Sequence, residues 1–395
     1  MWLGLACMFV IGGSCSIGQI WSPSTLAPKE WVAIASSANG SNIAALAFEG
    51  LFTSTNAGQT WTTSSMPQLP WVDLATSADG SKLIAASSIP SLPQYSFVLT
   101  STNLGISWTT SNVPMLSGSD SLTSVASSAD GNTLVVVGSF GRIYVSTNGN
   151  SSWDVSTNAS YGYFSAVACS TDGRKIAVLR QSYSGGPGGI LLSTNWGLTW
   201  NPTTAPVLFW TALAFSAEET RLFACGWNYS PATGLYFTTN EGASWTQLDL
   251  PNRTVKSLAV SADGHKLTVG TATIFTSLNG GTNWITNNIP NATSGWLVTS
   301  SADGGHLAAC NLNSRLLYLS ETVQPPVIGL DYAVGAGTLS WIVPSKKFAL
   351  EQSADFDPAS WSPITNLPHL NLSNLHYQIT LPATDENRFF RLRAE

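Results

Sequence analysis

Charge is scarce in this sequence. Its 395 residues carry 16 Lys and Arg against 22 Asp and Glu, a net charge of −6, and no cluster of basic residues stands out. That argues against nucleic acid as a partner, since affinity for a phosphate backbone is built from grouped Lys and Arg. Histidine is rarer still. His265, His306, His369 and His376 show no zinc-ligand spacing, so neither a metal nor any other cofactor is expected. Among the cysteines, Cys169, Cys225 and Cys310 are an odd, widely scattered set. No disulfide framework follows, and buried thiols acting as small apolar residues are expected instead. Long hydrophobic runs are missing beyond the first residues, so no transmembrane helix is expected. The exception, Trp2 to Gly13, has the length of a signal-peptide core and precedes small residues from Ser14 to Gly18, with no Lys or Arg before it. Residues 1–16 are read as a signal peptide, and the protein as secreted, periplasmic or held at the cell surface.

What is abundant is tryptophan, glycine and short polar turns. The octet Ser193-Thr194-Asn195-Trp196-Gly197-Leu198-Thr199-Trp200 follows the pattern Ser/Thr-x-Asn-x-Gly-x-x-Trp. It returns at Ser54 to Trp61, Ser101 to Trp108, Thr238 to Trp245 and Ser277 to Trp284, with a looser copy from Ser146 to Trp153 in which Asn150 takes the glycine position. These are the residues of a tight turn: the Asn carbonyl accepts an N–H two residues on, the glycine supplies a positive φ, and the Trp opens a strand. Asn150 fits because Asn tolerates the left-handed region better than other non-glycine residues.

A second motif interleaves with the first. Ser-Ala-Asp-Gly or a relative begins at Ser37, Ser77, Ser128, Ser170, Ser216, Ser261 and Ser301, 40 to 51 residues apart. Asp-Gly between apolar runs is a hairpin signal. Each repeat then reads as strand, Asp-Gly turn, strand, variable loop, strand, Asn-Gly box, strand, and such repeats predict an all-β propeller. The box resembles the Asp-box (BNR) repeat of sialidases, sortilin-type receptors, xyloglucan-cleaving enzymes and photosystem II assembly factors, over roughly residues 19–323. The family's third position is usually Asp, and here it is Asn56, Asn103, Asn148, Asn195, Asn240 and Asn279, which keeps the turn without the charge. Six boxes against seven hairpin turns leave one outer strand to find. Trp21 stands ten residues before Trp31, as Trp61 does before Trp71, so the N-terminal segment is expected to close a seventh blade and cover its edge.

The repeat stops near Thr322, and Gln324-Pro325-Pro326 reads as a stiff linker. Residues 17–323 are thus assigned to the seven-bladed propeller and 324–395 to a small β-sandwich-like module. The latter resembles a C-terminal module of large secreted bacterial proteins through Phe348 to Ser353, Trp361 and Phe389 to Leu392.

Both recurrent motifs fall on one face of such a propeller, which leaves the loops of the other face to carry individual character. Those loops hold Tyr95, Tyr183, Trp227 and Tyr229, and Trp31, Trp71, Phe164, Trp210 and Trp296 precede or open the inner strands. An aromatic rim for a glycan or peptide would use these residues, and so would packing between blades. The ligand-binding candidates are Trp71, Trp210, Trp227 and Tyr229, in a non-catalytic monomer that binds a glycan or protein partner. The alternative is a divergent glycoside hydrolase, sialidase-like or xyloglucanase-like, with Glu49, Asp73 and Asp120 as its candidate acids. The sialidase comparison is weakened because the first arginine is Arg142, after two boxes have passed.

Overall fold

A computed structural model describes residues 20–88, 96–114, 121–139, 141–156, 162–181, 187–218, 221–227, 234–251, 255–287, 289, 295–321, 326–333, 336–344, 347–355, 357, 359–382 and 388–394. Every regular element among them is a strand, and no described helix is long and apolar enough to cross a membrane. Residues 21–321 form seven four-stranded antiparallel sheets. Six follow chain order, beginning with Trp31–Ser36, Ile43–Ala47, Gly50–Ser54 and Thr62–Thr63. The seventh combines Trp296–Ser300, His306–Asn311 and Leu317–Glu321 with Trp21–Pro23 from the other end of the chain, Trp21 pairing with Ser320.

Numbered in chain order from the sheet that starts at Trp31, each sheet's first strand contacts the first strand of the next, and Trp296–Ser300 returns to Trp31–Ser36. The seven sheets therefore close a ring. Their middle strands are buried throughout, as in Ile43–Ala47, Leu83–Ser87 and Leu134–Gly138. The core lies between adjacent sheets: Leu46, Leu51 and Ala85 pack with Trp71 and Leu74, and Val135 and Val137 pack with Phe164 and Ile176. Removing such surfaces from water is what holds one sheet against the next.

The repeated box is a hydrogen-bond device. Asn195 Oδ1 accepts the Ser193 hydroxyl (3.0 Å) and the Thr199 amide (2.9 Å), while Ser193 Oγ accepts the Gly197 amide (2.9 Å). The amide reached lies four residues on, not two, because residues 196 and 197 both take positive φ, 56° and 82°, and turn the chain back beneath the Asn side chain. Asn195 Nδ2 also donates to the Thr199 hydroxyl (2.9 Å), so the amide nitrogen has a partner of its own. Asn150 adopts φ 82°, matching Gly197, and its Oδ1 accepts the Trp153 indole N–H (2.8 Å).

The remaining chain forms a four-stranded and a three-stranded sheet between Gly329 and Ala394. They enclose Leu339, Trp341, Leu350, Ile379 and Leu381. Buried Glu351 is held by Arg391 and Arg393 at 2.7 Å each, which keeps its carboxyl below the usual range.

Candidate functional site

The seven Ser-Ala-Asp-Gly turns meet around the axis of the ring. In each, the opening serine accepts the amide five residues on, as Ser77 does from Lys82 (3.0 Å), and in six it also donates to the Asp or Asn side chain, as Ser77 does to Asp79 (2.6 Å). Burial pushes Asp79 and Asp130 up, but hydroxyl and amide donors and Lys82 outweigh it and hold both below the ordinary carboxylate range. The second residue of each turn points to the axis. The amide of Ala38 donates to Ala78 O (2.7 Å), Ala78 to Ala129 O, Ala129 to Thr171 O, Ala262 to Ala302 O and Ala302 back to Ala38 O. Between sheets 4 and 5 the Thr171 hydroxyl lies 3.1 Å from Ala217 O, and the Glu218 amide completes the circle to Ala262 O. Alanine suits this position because seven side chains must share the space around one axis.

The C-terminal sheets sit on this ring. Val343 packs with Ala38, Ala217, Ala262 and Ala302, joined by Ile342, Leu370, Leu375 and Tyr377. The Thr171 hydroxyl donates to Ser373 O (2.5 Å), and His376 Nε2 stands 3.3 Å from Glu218 Oε1. Beside the ring a cavity of about 190 Å³ is walled by the last residue of all seven first strands, including Ser36, Thr76, Ser127, Cys169 and Ser300, and also by Leu375. Its lining carries no charged side chain, and it is smaller than ordinary ligand pockets, about 300–1,000 Å³.

On the loop face, Trp71 and Trp210 are 2% and 0% exposed. The expectation that they contact a ligand is corrected: a first strand turns its side chains toward the neighbouring sheets, not toward the channel mouth. Trp71 packs with Leu46, Leu51 and Ala85, and Trp210 with Leu179, Ile190 and Tyr236. Trp31, Phe164 and Trp296 are buried in the same way, so inter-sheet packing takes all five aromatics at the starts of the first strands. Trp227 is half-buried and stacks on Phe209 with centroids 4.5 Å apart and planes 16° from parallel. Tyr229 and Asp120 lie outside the described residues, as do Tyr95 and Tyr183.

Glu49 is exposed in the turn between Ala47 and Gly50, beside Phe48, which is itself 50% exposed. Asp73 is partly buried at a β-bulge. Its Oδ2 accepts the Ser124 hydroxyl (2.7 Å) and the Val125 amide (2.9 Å), and its Oδ1 accepts the Leu74 amide (2.8 Å). Burial raises its pKa, the amides of Val125 and Leu74 and the Ser124 hydroxyl opposing it only in part. The same junction recurs without a carboxylate, Ser124 Oγ accepting the Val167 amide and Ser257 Oγ the Val298 amide. Asp73 is thus a clamp between sheets 2 and 3, both of its oxygens engaged by the protein's own donors. Among the described residues no group of three or more His, Cys, Asp or Glu could hold a metal.

Sequence reasoning missed the loop-face groups that are accessible. Phe48, Val207 and Leu312 are exposed apolar residues in or beside short connections. Near Phe48 and Leu312, Arg315 pairs with Glu30, Trp31 Nε1 donates to Arg315 O (2.8 Å), and the Phe48 amide donates to Glu30 O. The available signal was a large apolar residue inside a connection, as in Phe48-Glu49-Gly50.

The sequence matches no protein-family model and no curated protein. Solved structures similar to this chain include YCF48 bound to D1 peptide, at 15% identity and a TM-score of 0.56, covering 78% of this chain and 98% of that one. YCF48 from Cyanidioschyzon merolae gives 16% and 0.54, covering 76% and 98%. Hydrazine synthase from Kuenenia stuttgartiensis gives 14% and 0.58, covering 75% and 97%. At these identities the likeness establishes the fold, a β-propeller, and no more.

Proposed function

We propose that this chain is a non-catalytic binding propeller: seven blades of Asp-box type over residues 17–323, closed by the N-terminal strand, exported under residues 1–16, and followed by a C-terminal module. Its partner docks on the loop face. One observation carries this reading, namely that the C-terminal sheets occupy the axis of the turn face through Val343, Ser373 and His376. The loop face keeps accessible groups of mixed character: Phe48, Val207 and Leu312 with the Phe209–Trp227 stack, edged by Glu30, Arg315 and Lys256. Apolar surface bordered by hydrogen-bonding edges suits an extended peptide or a glycan. YCF48, a propeller of similar fold, is known bound to a peptide, and we favour a peptide here.

Hydrolysis is the weaker reading, since Asp73 is committed to structure and Glu49 is a solvated turn residue. A random-peptide display selection and a glycan array on the purified protein, run beside a reducing-sugar assay, test the proposal. Binding without turnover, weakened by Trp227→Ala and Phe48→Ala, is the expected result. Sugar release that disappears in Asp73→Asn refutes it.

A further inference from the structure

The ring of turns is nearly seven-fold, so by itself it offers the C-terminal sheets seven similar seats. They take one. The turn repeat departs from its own pattern at sheets 4 and 5. Thr171 stands where the other six copies have Ala, and Glu218 stands where the others have Asp or Asn. Both make polar contacts to the C-terminal sheets, Thr171 to Ser373 O at 2.5 Å and Glu218 to His376 at 3.3 Å.

We propose that Thr171 and Glu218 are the specificity-determining pair that fixes where the C-terminal sheets dock, converting a pseudo-symmetric alanine ring into a surface with a single seat. The fifth turn itself shows that the Glu218 side chain has been released from the repeat's internal duty. In the six other copies the third residue accepts its own serine's hydroxyl, as Asp263 does from Ser261 (2.6 Å) and Asn39 from Ser37 (2.7 Å). In the fifth, Ser216 donates to Arg221 O instead (3.3 Å), and Glu218, one methylene longer than Asp, reaches outward to His376. Thr171 likewise supplies a hydroxyl that alanine lacks, placed between Ala217 O and Ser373 O. Apolar contact with the alanines gives attraction without direction, and directional polar contacts choose among near-equivalent positions. The paired sheets then close the turn-face end of the channel, with Leu375 at the wall of the cavity. Anything reaching the cavity along the channel axis comes from the loop face.

The test restores the repeat. In the full-length protein, Thr171→Ala returns the fourth turn to the pattern of the other copies and Glu218→Asp restores the third position of the fifth, whose last residue is Glu219 where the others have Gly, so the ring should keep its melting temperature within about 2 °C. Amide exchange of residues 371–377, followed by mass spectrometry, should accelerate at least tenfold, while Thr171→Ser, which keeps the hydroxyl, should stay near the parent rate. Exchange within twofold of the parent in the double variant overturns the assignment. So does acceleration in Thr171→Ser equal to that in Thr171→Ala, because loss of the hydroxyl would then not be the cause.

Discussion

Truncating Trp210 separates the two uses of an aromatic residue at this position. Its indole is fully buried among Leu179, Ile190, Leu208, Ala224 and Tyr236. It meets Tyr236 edge-on at 5.7 Å and 77°, with Trp245 tilted 6.3 Å away. Gly226 pairs with it across the strands, and a Cβ added there would come within 2.8 Å of Trp210 Cε3, so the glycine supplies the room that the ring fills. Among the described residues Trp210 Nε1 has no hydrogen-bond partner, so its loss is one of packing. Trp210→Ala is expected to cost about 3–5 kcal/mol, the range for emptying a large aromatic site. At about 2–4 °C per kcal/mol for a large domain, this lowers the melting temperature by about 10 °C. Trp210→Phe keeps most of the ring and no hydrogen bond is forfeited, so about 1–2 kcal/mol is expected. Denaturant titration followed by fluorescence and circular dichroism measures both. An Ala variant as stable as the parent but impaired in partner binding would refute the packing assignment and return Trp210 to the ligand face.

The box should behave as structure as well. Asn195→Ala leaves the Thr199 amide and the Ser193 hydroxyl without their acceptor, at a cost of about 1–3 kcal/mol in thermal unfolding with partner affinity unchanged; a selective loss of binding would contradict this. Deleting residues 18–24 removes the strand that pairs with Leu317–Glu321 and buried Trp21, and should lower the melting temperature by many degrees, whereas an unchanged value would show that the ring does not need it. Asp73 and Asp79 should respond to pH in opposite senses. The pKa of Asp73 is raised on folding, so its contribution is fully present below the unfolded value near 3.8 and is lost as pH rises through the folded value. Asp73→Asn should therefore gain relative to the parent from about pH 4 upward. The pKa of Asp79 is lowered, so its contribution is present above 3.8 and lost as pH falls through the folded value, and Asp79→Asn should flatten the acid limb. Parallel pH–stability curves for parent and variants would contradict both.

The fold was legible because its signals are local and repeated. Asn195, Gly197 and Trp200 recur at fixed spacing, and each residue type has one geometric use in that turn. The ten-residue interval from Trp21 to Trp31 placed even the non-local strand of the seventh sheet. The site was far less legible. Trp71 and Trp210 occupy positions that composition assigns equally to a rim or to a core, and only the direction of the first strand's side chains decides between them. Asp73 reads as a free acid until the bulge brings the Ser124 hydroxyl and the Val125 amide to it. The docking of the C-terminal sheets left its trace in Thr171 and Glu218, two departures from a pattern otherwise counted for its regularity.

The most direct test of a binding propeller with a structural turn face is hydrogen exchange of the intact protein with and without a peptide taken from the display selection. Protection is expected to gather at residues 48–50, 207–209, 225–227 and 312–315, with the turns at 37–40, 77–80 and 128–131 unchanged. Protection confined to those turns and to residues 371–377, with the loop face unaffected, would contradict the account.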